Sequence, residues 1–373
     1  MTRSRARLAA LFTSASALIA LPLALNAPVA SAAPSSYSVS TASAGVASAG
    51  ELALDQSRDE LFITDNNARA MSSGGSNFSF SKYPVKPKVT VFSTKSRKVV
   101  RSIDLSDQPL GMMLFGPVPL LPVEQSPDGI AIDPKRGRVI VTNAHANGVT
   151  SFNMSARRVT PANLLSLPST HPMGVLANTA TGRTYVALNN ADKVLILNTS
   201  TGRSIGEIGG IYHPSFLDVD NSRHRLYVGN ADYIDKKQNF VAVVDTRTNR
   251  VIKKITTPSN SRVKVNPVTG DVWANSYDTG KISVIDSNTL QIKRTIETNT
   301  TPNKLVFDAT RRLAYTANLQ KRTVTVLDAS SGAILRVIPT GAPVHTIVVD
   351  DRTGIVYGTQ HMGGNLTIIT PKG

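Results

Sequence analysis

"LAYTANLQKRTVTVLDASSG", residues 313–332, holds two runs of alternating apolar and β-branched residues, a polar loop between them and a closing turn. Such a pattern reads as a β-hairpin. The same arrangement recurs along the chain. "LFITD" ends at Asp65, "VIVTN" at Asn143, "TYVAL" at Leu188, "LYVGN" at Asn230, "DVWAN" at Asn275, "AYTAN" at Asn318 and "VYGTQ" at Gln360. Successive spacings between those ends are 78, 45, 42, 45, 43 and 42 residues. A period near 43 is the size of a four-stranded propeller blade.

Each unit supplies the other two strands. An apolar run precedes the hairpin ("IAIDP", "LDVDN", "LVFDA", "IVVDD") and another follows it ("VIKKITT", "IKRTIET", "ILRVIPT"). One such sheet cannot bury both of its faces, so the units must stack around an axis. Seven units are countable, and the seventh stops after "LTIIT" without its fourth strand. The missing strand is at the other end: "YSVSTASAG", from Tyr37, precedes unit one as "LRVIPTGAP" precedes unit seven. The expected fold is therefore all-β, a seven-bladed β-propeller with four-stranded blades, its ring closed by an N-terminal strand. It forms one domain over residues 33–373, with insertions at about 67–88 and 105–126.

These strands carry a resemblance. "VIVTN", "LYVGN" and "AYTAN", with their "VxVID"-like partners, are similar to the YVTN-repeat β-propeller family of surface-layer-type and YncE-like exported proteins. The likeness runs over nearly the whole chain after residue 33. It implies an extracytoplasmic seven-bladed propeller, and it implies function only loosely. Some relatives bind single-stranded DNA, and the architecture hosts both binders and enzymes.

The first 32 residues stand apart. "MTRSRAR" is a basic leader, "LAALFTSASALIALPLAL" an apolar core, and "APVASA" a small-x-small ending at Ala30 and Ala32. That is the pattern of a secretory signal peptide cut after Ala32. No later stretch is apolar enough to span a bilayer, and the chain has no cysteine. The product is expected to be secreted or peripherally attached to the cell envelope, without a transmembrane segment, and monomeric. The formal net charge is +16, and losing Arg3, Arg5 and Arg7 with the leader leaves +13. So basic a protein invites anionic partners, either a wall polymer or single-stranded nucleic acid, although high charge also serves solubility alone.

Propeller topology sorts the loops. The 4–1 and 2–3 connections open on one face, here the top, and the 1–2 and 3–4 turns on the bottom. His171, His213 and His345 precede inner strands at the top, while His145 and His361 follow the YVTN-type strands. Imidazoles at a channel rim can transfer protons. With Asp128, His171, His213 and His345 are the candidates for the alternative function, an extracytoplasmic lyase or lactone hydrolase at the top of the channel. No H-x-H or H-E-x-x-H spacing points to a metal, no glycine-rich phosphate loop or G-x-S-x-G is present, and no cofactor is expected. Arg262, Lys264 and Lys304 alternate with apolar positions on the inner strands and should face the axis, where they either hold a small anion or pair with Glu51 and Asp218. A stacking platform for single strands needs aromatic rings among cations. Phe78, Phe80, Tyr83, Tyr212, Tyr233 and Tyr277 lie in top loops with Lys236 and Lys237 beside them. The apolar loop at 109–122, with Leu110, Met112, Met113, Leu114 and Phe115, reads as a protein contact or as a plug over the channel. The leading expectation is a non-catalytic binding or scaffolding propeller with an anionic ligand.

Overall fold

The computed structural model describes residues 34–65, 71–74, 77–80, 86–109, 111–115, 118–123, 127–231, 238–298, 300–360 and 362–372, and the side chains of 71–80 and 111–123 lie outside that description. Residues 32–373 form one compact unit.

Among the described residues, seven four-stranded antiparallel sheets follow one another. Their inner strands are Ala49–Asp55, Gly129–Asp133, Pro172–Asn178, Pro214–Asp220, Ser261–Val265, Pro302–Asp308 and Val344–Asp350, which number blades 1 to 7. The sequence repeat maps onto the second and third strands. In blade 6, Leu313–Asn318 is buried along its whole length, because both of its faces are covered by neighbouring blades. Outer strand Ile334–Pro339 of the same blade is mostly exposed. Blade 7 takes Ser36–Ser43 as its outer strand, in an eight-residue antiparallel register from Ser36 opposite Lys372 to Ser43 opposite Asn365. The ring thus closes with first and last strands in one sheet, as the repeat count requires.

Apolar packing is divided evenly, with a core between each pair of adjacent blades. Phe62, Val91 and Ile103 of blade 1 meet Ile130, Val141 and Phe152 of blade 2. Tyr357, Leu366 and Ile368 of blade 7 meet Leu52, Leu61 and Ile63 of blade 1 across the closure. Trp273 takes the tyrosine place of the YVTN-type strand, is fully buried, and stands edge-on to Phe307 with ring centroids 5.2 Å apart.

A second ring binds the blades at the bottom. Each inner strand ends at, or is followed by, a buried Asp or Asn: Asp55, Asp133, Asn178, Asp220, Asn266, Asp308 and Asp350. They shape the turns, and they also begin a clasp onto the next blade. Arg136 binds Asp133 at 2.8 Å and donates to the Thr179 carbonyl of blade 3 at 2.9 Å. Arg311 does the same between Asp308 and the Asp351 carbonyl of blade 7. Arg223 links Asp220 to Asn288 of blade 5, and Arg58 links Asp55 to the Met154 sulfur of blade 2. Arg352 joins Asp350 to Asp59 of blade 1 at 2.6 Å, across the closure. Where Asn replaces Asp the side chain crosses by itself, Asn178 to Asn221 of blade 4 and Asn266 to the Ala329 carbonyl of blade 6. Five arginines of the basic bottom turns are thereby committed to holding the ring.

The insertions were expected as loops, and each contains a β-ribbon. Met71–Gly74 pairs with Asn77–Phe80, and Gly111–Phe115 pairs with Val118–Val123.

Candidate functional site

The inner strands hold one further equivalent position, four residues before the clasp residue. Around the ring it is Glu51, Gly129, Gly174, Phe216, Arg262, Lys304 and Thr346. The bottom position repeats almost without change, whereas this one differs in nearly every blade. It lies at the top mouth of the channel, where the inner strands of blades 1, 3, 4, 6 and 7 each carry a register break. A bulge suspends the strict alternation of side chains and re-aims them. The space they surround is a cavity of about 570 Å³, lined by Glu51, Asp128, His145, His171, Phe216, Arg262, Lys264, Lys304 and His345 among others. That volume falls within the range for a small-molecule site.

Cations occupy blades 5 and 6. The Arg262 guanidinium lies over the Phe216 ring, 4.3 Å from its centroid, a contact that fixes the plane of the arginine fork. Lys264 Nζ is 3.3 Å from Asp218 Oδ2, which also accepts the Val265 backbone N–H at 2.7 Å. Lys304 reaches past blade 7 to donate to Glu51 Oε2 at 2.9 Å, and the Thr346 hydroxyl donates to the same oxygen at 3.2 Å. Burial pushes the Glu51 carboxyl up, but Lys304, His345 and Arg262 outweigh it and hold the group at about 2. Both lysines are thus matched by acids, and Arg262 adds its charge to those that hold Glu51 down.

The far wall belongs to blades 2 and 3. Asp128 Oδ2 accepts the Ala144 backbone N–H at 2.8 Å, and burial pushes its carboxyl above the ordinary range, opposed by the nearby His145. The rings of His145 and His171 stand edge-to-face with centroids 5.6 Å apart. Burial, with the His145 charge added, lowers His171 to about 4. His171 itself has a left-handed backbone, φ 48°, held by the Asn147 side chain that accepts its N–H at 2.8 Å. Between these walls the strands come very close. A β-carbon at Gly174 would sit 2.1 Å from the Ser215 carbonyl oxygen, so only glycine lets blades 3 and 4 approach as they do.

The sequence candidates divide accordingly. Arg262, Lys264, Lys304, Asp128, His171 and His345 all line the one cavity. His213 is outside that lining. Its ring Nδ1 is 3.1 Å from Asn189 Oδ1, its N–H goes to Asp192, and Tyr212 packs edge-on against it. Tyr212 is also packed on the core between blades 3 and 4. Tyr277 is half-buried in the 2–3 loop of blade 5. Tyr83, Tyr233, Lys236 and Lys237 lie outside the described residues. Phe78 and Phe80 fall on the first ribbon and residues 109–122 mostly on the second, and their side chains are likewise outside the description. No group of three His, Cys, Asp or Glu suited to a metal occurs among the described residues. His145, Phe216 and Thr346 were not singled out as site residues, and aligning the inner strands on their bottom Asp or Asn would have found the last two.

The YVTN-type strand ends also gain a reason. Thr142 donates to the Met173 carbonyl of the next blade at 2.6 Å, and Asn275 to the Pro302 carbonyl at 2.8 Å. These bonds hold the top of each neighbouring inner strand, from which the cavity side chains project.

No family model matches the chain. Over 107 residues it is 33% identical to the uncharacterized protein YncE of Salmonella typhi and, equally, to that of Salmonella typhimurium. That stretch spans 29% of this chain and 29% of each relative, less than a third of their length. Among solved structures the chain is similar to Kuenenia stuttgartiensis hydrazine synthase, with TM-score 0.66 and 14% identity over 87% of this chain and 96% of that one. It is also similar to the Cps50 (Swd1) β-propeller domain of Myceliophteria thermophila, with TM-score 0.64 and 10% identity over 87% and 96%. At such identity these two show the fold alone. The chain is a seven-bladed β-propeller with a YncE-like stretch.

Proposed function

We propose that this chain is an exported binding propeller of the cell envelope, non-catalytic, whose anionic ligand enters the top of the axial channel. The observation that carries the reading is the convergence of Arg262, Lys264 and Lys304 from adjacent blades on one cavity of about 570 Å³. A cavity of that volume admits one anionic group beside these cations rather than a dense run of phosphates. A small anion or the end of an anionic wall polymer meets that condition. The leader-like N-terminus supports export, and the net charge of +16 supports an anionic partner.

The test is competition. A labelled single-stranded oligonucleotide is titrated with the purified protein at low and moderate salt, with duplex DNA, polyphosphate and small carboxylates as competitors. Small carboxylates that bind, and bind about 10-fold more weakly to Arg262→Gln, support the reading. Single strands that win and survive moderate salt would move the site to the aromatic top loops, where Lys236→Ala with Lys237→Ala should lower the salt slope.

A second reading keeps its own observation: Asp128, pushed up, and His171, pushed down, face one cavity. A carboxylic acid beside a neutral imidazole is a usable acid–base pair for ester hydrolysis or elimination. Turnover of a lactone panel that Asp128→Asn abolishes would replace binding with catalysis.

A further inference from the structure

Charge is not spread evenly around the cavity. Going around the ring, blades 5 and 6 present Arg262 and Lys304, blade 7 presents His345, blade 1 presents Glu51 and blade 2 presents Asp128. The mouth is therefore positive on one side and acidic on the other. Lower on the inner strands, Leu176, Val306 and Val348 make the lining apolar. Glu51 is already satisfied by Lys304 and Thr346. Asp128 has the Ala144 N–H on one oxygen and faces the cavity with the imidazoles of His145 and His171 beside it.

We propose that the cavity takes a small zwitterion with an apolar body, its anionic group against Arg262 and Lys304 and its ammonium against Asp128. An amino acid or the zwitterionic end of a short peptide has this chemistry. The inference rests on the cavity being the ligand site. A carboxylate set into a cavity wall is costly to ionise without a partner, and a ligand ammonium supplies one. A simple anion would leave Asp128 with only the His145 imidazole to offset its charge, and a simple cation would meet Arg262 and Lys304. Only a ligand with both charges, placed across the mouth, satisfies the two sides together.

Binding then carries a proton signature. Asp128 is pushed up by burial in the free protein, so an arriving ammonium makes it release its proton, and affinity rises with pH through that titration. The groups facing Asp128 act in the same direction. His145 and His171, when protonated, repel the ammonium, and Glu51 on blade 1 adds attraction at all working pH values, being held at about 2. On the far side Lys304, Arg262 and His345 bear on the anionic end of the ligand.

The experiment is calorimetry on the full mature protein with a panel of the common amino acids, each beside its desamino acid. The amino forms should bind about 10- to 100-fold more tightly, and Asp128→Asn should erase that preference while Arg262→Gln weakens both forms. Asparagine keeps the oxygen that accepts the Ala144 N–H, and should Asp128→Asn still fail to fold, titration of the wild type in two buffers of different ionisation enthalpy reads the proton release directly. Equal affinity for amino and desamino forms, with Arg262→Gln weakening both, overturns the zwitterion and leaves the anion site standing. No binding by any member of the panel overturns both. Tight binding of amino forms without proton release and without sensitivity to Asp128→Asn overturns the assignment of the ammonium to Asp128.

Discussion

The two ends of the same seven inner strands follow opposite rules. At the bottom, every blade repeats a buried Asp or Asn and reaches to the next blade, so the ring is held by seven versions of one clasp. At the top, four residues away, Glu51, Gly129, Gly174, Phe216, Arg262, Lys304 and Thr346 share a position and little chemistry. A repeat protein is stabilised by contacts that every unit makes with its neighbour, so selection on stability keeps units alike. A binding site needs different groups at different points around an axis, so it must break the repeat. The bottom end explains why the ring exists, and the top end is where it can recognise something.

Breaking the ring itself should have the largest effect. Deleting residues 36–42 removes the outer strand of blade 7 and uncovers Leu366 and Ile368 beside it. The expected loss is about 5 kcal/mol or more, comparable with the whole stability of an ordinary domain. Circular dichroism during urea unfolding should show a broadened or absent cooperative transition. A deletion that melts like the parent would mean the ring is closed by the inter-blade cores and clasps alone.

Single substitutions at the two ends sharpen the contrast. Asp308 is fully buried, and Arg311, which it holds, is 24% exposed. Asp308→Ala leaves that guanidinium without its carboxylate and removes the blade 6 to blade 7 clasp, at a cost of about 2–3 kcal/mol. Lys304→Gln removes a pair whose partners are 34% and 22% exposed at the mouth of the cavity. It should cost less than about 1 kcal/mol while weakening ligand capture. Equal stability losses from the two variants, read by denaturant melts, would erase the division between a structural end and a recognising end.

That division also marks how far the sequence could be read. The blades, the strand order and the closing strand follow from "VIVTN", "LYVGN", "AYTAN" and their spacing, because a repeated pattern offers seven chances to see one signal. The axial place of Arg262, Lys264 and Lys304 follows from alternation, and so did their pairing with Glu51 and Asp218 as one of two open readings. What alternation could not supply is who meets whom across the axis. Lys304 passes over blade 7 to reach Glu51, 253 residues away in the chain, and Asp128 shares a cavity with Arg262 only because seven blades close a circle. The clasps were half legible. An aspartate at a strand end is an ordinary turn former, but the crossing of Arg136 or Arg311 to a neighbouring carbonyl has no sequence signature. His213 and His171 look alike in sequence, both before a proline, and their ring directions separate them.

The smallest effect concerns pH and tests whether the top end is held at a cost. His171 is lowered from its ordinary 6.5 to about 4 by burial and by His145. The unfolded chain therefore binds a proton that the folded chain refuses, and this residue subtracts stability as pH falls from 6.5 to 4. Replacing it by Gln removes that penalty, so the variant should gain on the wild type across that window by on the order of 1–2 kcal/mol. Asp128 and Asp351 act with the opposite sign, both being pushed up, Asp351 to about 6 through burial and the nearby Asp308. The wild-type curve alone is thus a sum of opposed slopes, and only the difference between variant and wild type isolates the histidine. Below pH 4 the clasp carboxylates take over: burial opposes ionisation of Asp55, Asp220 and Asp350, but their hydrogen bonds and arginines hold them low. Their contribution is complete above the ordinary carboxylate range and is lost as pH falls through their folded values, identically in both proteins. Melting temperatures of the pair should then diverge between pH 6.5 and 4 and run parallel below it. Curves parallel throughout would mean that His171 is solvated and the wall it shares with Asp128 is open to water.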